Sequence, residues 1–311
     1  MKVVVTGGAG FIGANLCRHL AASAQVDEVV AFDDLSTGFA SNLDGIDARL
    51  VRGTILDTAD LEAATEGVTT IVHLAARPSV PRSIADPVAS HDANATGTVN
   101  VLEAARSADG AHVIVASSSS VYGANPELPK HEDLAPRPMS PYAASKLATE
   151  SYALAWQRSY DMPTLAFRFF NVFGPLQAAG HAYAAVIPAF VDAALAGRPL
   201  TVHGDGTQSR DFTYVDTVCS IITDAVVRRV SSPDPTNLAF GSRVTLLEVI
   251  ALLEEQLGHP VSVEFTETRT GDVAHSQAAN ERLLALFPDV EPVDLRTGLR
   301  STIDWFRSTS D

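Results

Sequence analysis

A tyrosine and a lysine stand four residues apart in the run SPYAASKLATE, at Tyr142 and Lys146. Four residues span about one turn of an α-helix, so both side chains would lie on one helix face. A phenol, with a pKa of about 10, is a poor base near neutral pH, but a neighbouring ammonium stabilises the phenolate and lowers that pKa. Such a tyrosine can take a proton from an alcohol while a hydride leaves the same carbon. The pair therefore predicts redox chemistry at a carbon that carries a hydroxyl group.

A glycine-rich segment near the N-terminus predicts a dinucleotide site. TGGAGFIG occupies 6–13, between a predicted strand and a predicted helix. Gly7 would permit the tight turn, Gly10 would let the backbone approach a pyrophosphate, and Gly13 would let the helix pack closely on the sheet. The phosphates would then lie at the N-terminus of the helix. About 20 residues further on, Asp33 stands where a carboxylate can bind the adenosine ribose. Because that charge would repel a 2′-phosphate, the sequence predicts NAD rather than NADP.

The composition and net charge of the chain limit the classes of protein to which it can belong. The chain has 311 residues, 46% hydrophobic and 19% charged, which fits one large or two moderate globular domains. Its net charge of −15 argues against nucleic acid or an anionic membrane as a partner. No apolar stretch approaches the roughly 20 residues of a membrane-spanning helix. The two cysteines and nine histidines show no metal-ligand spacing, so the sequence predicts no metal site. The low cysteine count also predicts a cytoplasmic location.

The alternation of short apolar runs with helical patterns predicts an α/β fold with a doubly wound, Rossmann-type parallel sheet. The predicted strands are continuous in Val and Ile, as strands buried on both faces are: 2–6, 28–32, 48–52, 70–75 and 112–117. The predicted helices are 11–22, 58–66, 84–107, 141–160, 182–196, 245–257 and 294–307. We expect an NAD-binding domain formed by 1–172 plus 212–240, and a smaller mixed α/β nucleotide-sugar-binding domain formed by 173–211 plus 241–311.

Eight motifs in a fixed order resemble those of the NAD-dependent epimerase/dehydratase family, a branch of the extended short-chain dehydrogenases/reductases. They span nearly the whole chain: TGGAGFIG, DDLSTG, VHLAA, SSSSVYG, PYAASK, RFFNVFGP, GDGTQSRDF and RTGDV. The resemblance implies a catalytic serine four residues before Tyr122, which is Ser118, acting with Tyr142 and Lys146. It also implies cofactor contacts at Gly7, Gly10, Phe11, Ile12, Gly13, Asp33, Leu35, Ser36, Thr37, Gly38, Thr54, Ile55, Leu74, Ala75, Ala76, Asn94, Tyr142 and Lys146.

The two residues after Ser118 separate the reactions of this family. Dehydratases resemble one another in carrying Asp and Glu there, and uronic acid decarboxylases usually keep the Glu; this chain has Ser119 and Ser120. These hydroxyls are poor acids and bases, so the resemblance implies a 4-epimerase. Tyr142 would remove the C4 hydroxyl proton, and NAD would accept the hydride from C4 and later return it. Between these two hydride transfers, a transient 4-keto sugar would rotate to present its opposite face.

A UDP-sugar is the substrate that the resemblance implies. The matching positions are Ser79, Ser118, Asn171, Val186, His203, Arg210, Arg269, Asp272 and Ser276. His203 stands where relatives often stack an aromatic ring on uracil, and Thr54 where they commonly have an Asp near adenine. His73 and Arg168 are interpreted instead as a packed strand residue and a surface ion-pair residue.

A small residue at Ser276, where relatives restricted to glucose and galactose often carry Tyr, favours acceptance of N-acetylated sugars. The runs at 79–84 and 182–188 resemble the same N-acetylhexosamine-accepting branch. We therefore expect UDP-GlcNAc/UDP-GalNAc to be accepted as well as UDP-Glc/UDP-Gal. The alternatives are a UDP-glucuronate 4-epimerase, a nucleotide-sugar 4-ketoreductase and, least favoured, a non-catalytic NAD-sensing protein. The family resemblance also implies a homodimer formed through the helices at 84–107 and 141–160.

Overall fold

The computed structural model describes residues 1–179, 184–268 and 274–309. The strands in chain order are β1 (Lys2–Thr6), β2 (Glu28–Asp33), β3 (Arg49–Arg52), β4 (Thr70–His73), β5 (His112–Ser118), β6 (Thr164–Phe169), β7 (Val172–Phe173), β8 (Leu200–His203), β9 (Ser209–Arg210), β10 (Thr213–Tyr214), β11 (Thr236–Leu238), β12 (Val244–Thr245) and β13 (Val263–Thr266). The α-helices are α1 (Phe11–Ala21), α2 (Thr58–Thr65), α3 (Val80–Ala85), α4 (Pro87–His91), α5 (Gly97–Ser107), α6 (Pro141–Tyr160), α7 (Val186–Leu195), α8 (Val215–Arg228), α9 (Leu246–Leu257), α10 (Glu281–Leu286) and α11 (Leu295–Thr309).

Seven of these strands form a central sheet in the order β11-β6-β5-β4-β1-β2-β3, and every neighbouring pair is parallel. The order 3-2-1-4-5-6 is that of a doubly wound dinucleotide-binding sheet. Its central strands are buried on both faces, which explains their continuous Val and Ile runs. The predicted fold class is confirmed.

Helices cover both faces of this sheet, and each face has its own apolar core. On one face, α1 and α8 pack against each other over a core that includes Leu16, Leu20 and Ile222. On the other face, α2, α5 and α6 enclose a core that includes Leu61, Val101 and Ala153. The sheet is therefore a rigid platform whose strand ends can hold a site.

The prediction of one continuous helix over 84–107 is wrong, because several shorter helical elements occupy this range. Helix α3 ends at Ala85, and Asp86 has an extended backbone because a residue that precedes proline disfavours the helical region. The Asp86 side chain accepts from Ala89 N at 3.1 Å and so caps α4, which begins at Pro87. A π-helical turn over Asp92–Thr96 then joins α4 to α5.

Strand β6 and helix α8 of the sheet domain were not predicted from the sequence. Strand β6 lies between β5 and β11, but Arg168 interrupts the apolar run of its sequence. Helix α8 follows β10 directly and buries Val218, Ile221 and Ile222 in the apolar core that it shares with α1.

A separate apolar core lies in the second half of the chain, with Phe190, Leu200 and Leu253 among its buried members. Helices α7, α9 and α11 contribute to it, and the parallel pair β8 and β13 closes one side. Among the residues that the structure describes, no helix combines the length and the apolar character needed to cross a membrane.

Candidate active site

A cavity of about 920 Å³ opens at the carboxyl ends of the central strands, where ligands of doubly wound sheets bind. Most of the residues predicted for the cofactor, and three predicted for catalysis, line it together. These are Gly7, Gly10, Phe11, Ile12, Gly13, Asp33, Ser36, Thr37, Thr54, Ile55, Leu74, Ala75, Ala76, Ser118, Tyr142 and Lys146. The fold thus brings several distant stretches of sequence to one cleft.

The glycine loop between β1 and α1 fits a diphosphate. A Cβ on Gly13 would stand 2.0 Å from the Gly7 carbonyl oxygen, and one on Gly7, at φ +71°, would stand 2.8 Å from Ala75 N. Helix α1 begins after Gly10 with no side-chain cap and no acidic residue in its first turn. The N–H groups of its first turn are therefore available to an anionic ligand.

Asp33 ends β2 with its carboxylate held in place by the backbone. Ala9 N donates to Asp33 Oδ2 at 2.9 Å, and Leu35 N donates to Oδ1 at 2.8 Å. Burial raises the pKa of this carboxyl, and the two N–H donors lower it. A fixed carboxylate on the cavity wall fits a ribose with free hydroxyls and opposes a 2′-phosphate, so the residues present fit NAD.

Tyr142 lies in the first turn of α6, and Lys146 lies one turn further along the same face of the helix. Ser140 caps the helix by accepting from Ala143 N at 3.1 Å, and Pro141 occupies the first helical position. The Lys146 ammonium is buried and donates to the Ala116 carbonyl at 2.9 Å. The Tyr142 phenol and the Ser118 hydroxyl line the same cavity, and hydrogen bonding by Ser118 lowers the pKa of Tyr142.

Burial dominates the ionisation of both groups. It raises the pKa of Tyr142, which the Ser118 hydrogen bond partly offsets, and it lowers the pKa of Lys146 from 10.5 to about 8. The expected depression of the Tyr142 pKa by Lys146 is not found: burial raises this pKa, and Ser118, not Lys146, is the group that opposes the rise. Hydrogen bonds and added positive charge are what would stabilise a phenolate here.

The serines after Ser118 form a short 3₁₀ turn over Ser119–Tyr122, with Ser118 as its cap. Neither Ser119 nor Ser120 supplies an acid or a base. Tyr122 is buried, donates to Asn237 Oδ1 at 2.7 Å, and has its pKa raised to about 12, chiefly by burial. Of these two tyrosines, Tyr142 is therefore the one that lines the cavity.

A second cavity, of about 430 Å³, adjoins the first, because Asn171 and Val172 line both. Its walls carry three further predicted substrate residues, Val186, His203 and Arg210. Arg210 NH1 donates to the Ser209 carbonyl at 3.0 Å, and His203 Nδ1 lies 2.7 Å from Thr266 Oγ1. One cavity therefore holds Ser118, Tyr142 and Lys146, and its neighbour holds the Arg210 guanidinium, a group suited to phosphate.

Other predicted residues lie beside the cavities. Asn94 is fully engaged, since its Oδ1 accepts from Arg77 N at 2.7 Å and its Nδ2 donates to Ser145 Oγ at 2.9 Å. Leu35 and Gly38 lie in the loop after β2, Ser79 caps α3 at φ +96°, and Ser276 N donates to the Ser209 carbonyl at 3.0 Å. Arg269, Asp272 and part of the 182–188 run lie outside the described residues.

Several polar residues that the sequence reasoning did not single out also line the cavities. Arg77, Arg82 and Asp92 line the larger one, and Gln208 lines the smaller one. Arg77 and Arg82 flank the predicted Ser79, so their charge was visible in the sequence, but their orientation depends on where α3 begins.

Arg168 was expected in a surface ion pair, and this expectation is wrong. Its guanidinium is buried on β6, with Nη2 donating to Glu150 Oε1 at 2.7 Å and Nε donating to Glu150 Oε2 at 2.9 Å. Ser117 Oγ donates to Glu150 Oε2 at 2.9 Å as well. The pair therefore ties α6, the helix that carries Tyr142 and Lys146, to β5 and β6.

His73 is a packed residue of β4, as predicted. Its Nδ1 lies 2.8 Å from Thr6 Oγ1 and its Nε2 lies 3.1 Å from Thr98 Oγ1. Burial lowers the pKa of His73 to about 3, and burial likewise lowers that of His112 to about 4. In the part of the chain that the structure describes, no group of three or more metal-binding side chains comes together.

The two buried histidines predict a loss of stability on acidification. Between pH ~6.5 and ~5 the unfolded chain protonates them while the folded chain does not, so unfolding takes up protons and its free energy falls as the pH falls. We expect a loss of about 2 kcal/mol for each histidine between pH ~7 and ~5, measured by urea unfolding. The variant His112→Gln should lose about half as much over this range. Equal stability of the wild type at both pH values would contradict this expectation.

Comparisons with known proteins agree with this geometry. A sequence model of the NAD dependent epimerase/dehydratase family matches residues 3–239. A protein named UDP-glucose 4-epimerase from Mycolicibacterium smegmatis is 37% identical over 320 residues, covering 100% of both chains. Among solved structures, the UDP-N-acetylglucosamine 4-epimerase from Methanobrevibacter ruminantium in complex with UDP-N-acetylmuramic acid superposes with a TM-score of 0.92 at 34% identity, covering 99% of this chain and 98% of that one. The Thermus thermophilus UDP-glucose 4-epimerase in complex with NAD gives 0.88 at 34% identity, covering 99% of each.

Proposed function

The chain belongs to the NAD dependent epimerase/dehydratase family, and on this premise we propose that it is a UDP-hexose 4-epimerase. NAD is its cofactor. The observation that carries the proposal is that Ser118, Tyr142 and Lys146 line one cavity with the glycine loop, together with neutral serines at 119 and 120. A phenolic base with serines at 119 and 120, where dehydratases carry Asp and Glu, suits oxidation and reduction at one carbon and does not suit removal of water.

In this proposal Tyr142 takes the proton of the C4 hydroxyl, and Ser118 assists by donating a hydrogen bond to the Tyr142 oxygen. Bound NAD supplies a hydride acceptor and donor, and adds positive charge near the phenol. Lys146 supports the phenolate from one helical turn away, held by the Ala116 carbonyl. After oxidation the 4-keto sugar presents its opposite face, and Tyr142 returns the proton to the same oxygen.

The adjoining cavity provides the second requirement, which is a nucleotide held still while the hexose turns. We propose that Arg210, Asn171 and His203 hold the diphosphate and nucleoside there, with Arg269 and Asp272 completing the grip. Asn171 is rigid because its Nδ2 donates to the Asp211 carbonyl at 3.1 Å. Because these groups are remote from C4, the binding energy they provide is the same for both epimers, so they hold the nucleotide equally well in either direction of the epimerisation.

We propose that both N-acetylated and plain UDP-hexoses are substrates, with Ser276 leaving room for the acetamido group. Replacing it by tyrosine should overpack the pocket by about 1–3 kcal/mol, roughly a 10- to 100-fold loss of kcat/KM for UDP-GlcNAc, with little change for UDP-Glc. The control Ser276→Ala removes the hydroxyl without adding bulk and should keep both activities. Steady-state kinetics with the two substrates measures this, and equal losses for both would contradict the role of Ser276.

We propose the two-domain division expected from the sequence. It is supported by β11, through which the chain returns to pair with β6 in the central sheet, and by the separate core around Phe190, Leu200 and Leu253. A homodimer is supported by apolar side chains exposed on the faces of α3, α4 and α6. Ile84 is 66% exposed, Val88 68% and Tyr152 39%.

The experiment that tests the proposed function is NMR of UDP-GlcNAc, UDP-Glc and UDP-glucuronate, each incubated with the purified protein without added reductant. The galacto epimer from either of the first two supports it. Activity on UDP-glucuronate alone would favour the uronate epimerase, and turnover only with added reduced cofactor would favour a 4-ketoreductase.

A further inference from the structure

The Ser118 hydroxyl receives two hydrogen bonds from one neighbour. Ser120 N donates to Ser118 Oγ at 3.2 Å, and Ser120 Oγ donates to the same oxygen at 2.9 Å. A hydroxyl oxygen has one proton to donate and two lone pairs that can accept. Ser120 therefore occupies both acceptor positions of Ser118, which leaves the Ser118 O–H free to be donated to the Tyr142 phenol in the same cavity.

Local structure holds this arrangement in place. Ser118 is the last residue of β5 and caps the 3₁₀ turn in which Ser120 lies, so the two residues are fixed by the strand and by the turn. The turn is closed at its far end by Gly123 N, which donates to the Ser120 carbonyl at 3.1 Å. The donors to Ser118 are thus set by the fold and need no bound ligand.

Resting on the proposed epimerase function, we propose that Ser120 is a positioning residue that makes Ser118 a hydrogen-bond donor to Tyr142 Oη. A donor stabilises the phenolate, whereas an acceptor would stabilise the neutral phenol. Without the Ser120 hydroxyl, Ser118 regains a lone pair and can accept the Tyr142 proton instead. Ser120 thus has a role in the reaction. In the sequence it was notable only because dehydratases carry a carboxylate at its position.

The charges around the phenol do not change when Ser120 is altered. Lys146 lies on the same helix, and the pKa of His73, on β4, shows that it senses the Lys146 charge. Arg82 from α3, Asp92 from the π-helical turn, and Arg77 from the loop after β4 line the same cavity. A change in the ionisation of Tyr142 on altering Ser120 therefore reports the hydrogen bond through Ser118.

The test is a UV difference titration of tyrosinate in the purified holoenzyme, subtracting the same protein with Tyr142→Phe so that Tyr142 alone is followed. Loss of one neutral hydrogen bond should move the Tyr142 midpoint upward by about one pH unit in Ser120→Ala. Its kcat near pH 7 should fall about tenfold and recover in alkaline solution. Ser120→Thr keeps the hydroxyl and should restore the wild-type midpoint.

Ser119→Ala is the matched control, because it removes a hydroxyl from the same turn without touching the bonds to Ser118. Its midpoint should equal that of the wild type. An unshifted midpoint in Ser120→Ala, or an equal shift in Ser119→Ala, would overturn the role of Ser120 even if the wild type epimerises UDP-sugars. Because the titration does not require turnover, failure of the proposed function would be seen separately, as a wild type that forms no epimer.

Discussion

Replacing Tyr142 with phenylalanine is expected to lower kcat for 4-epimerisation by about a thousandfold while leaving NAD bound. A positioned general base contributes roughly 10²- to 10⁴-fold, and Tyr142 is the phenol that faces both Ser118 and the cavity. The substitution removes one oxygen and leaves the ring in its site at the start of α6. Steady-state kinetics by NMR, with NAD content measured after denaturation of the protein, tests both halves of the prediction.

Tyr152→Phe is the control for this variant, since it makes the same change on the same helix at a ring 39% exposed and outside the cavity. It should retain wild-type kcat. A Tyr142→Phe enzyme with more than about a tenth of wild-type activity would show that another group removes the proton.

Replacing Arg168 with methionine is expected to destabilise the protein by about 3–5 kcal/mol, because it leaves the buried Glu150 carboxylate without its partner. Both side chains are almost fully buried, at 2% and 5% exposure. The guanidinium also lies over the Tyr122 ring, 4.7 Å from its centroid, so packing is lost together with charge. The free energy of unfolding in urea measures the effect.

Two further variants separate charge from packing. The double variant Glu150→Leu/Arg168→Met removes both charges and should recover most of the lost stability, since paired removal of a buried ion pair is often close to neutral. Arg49→Met breaks the exposed pair with Glu28 and should cost less than about 1 kcal/mol. A cost for Arg168→Met as small as that for Arg49→Met would contradict the structural role of the buried pair.

The parts of the fold that could be predicted are those in which local and tertiary signals agree. Strands β1, β2 and β5 are continuous apolar runs, and the glycine spacing of TGGAGFIG reports the steric limits at Gly7 and Gly13 directly. Helix α6 could be bounded because Ser140 and Pro141 mark its start by capping and by a fixed backbone angle. These signals are encoded within a few residues.

What could not be predicted depends on contacts made at long range. Strand β6 carries an arginine because Glu150, on a helix, neutralises it, and nothing near Arg168 in the sequence reveals this partner. The donor role of Ser120 toward Ser118 depends on the turn adopted after β5. The raised pKa of Tyr142 reflects burial, which the spacing of Tyr142 and Lys146 alone does not reveal.

The central claim is that the hydride removed from C4 returns to the same carbon. UDP-GlcNAc deuterated at C4, incubated in ordinary water with the purified protein and no added cofactor or reductant, tests it most directly by ¹H NMR. We expect UDP-GalNAc that retains the deuterium at C4. Deuterium lost to the solvent, or the absence of any galacto epimer from this substrate and from deuterated UDP-Glc, would contradict the claim.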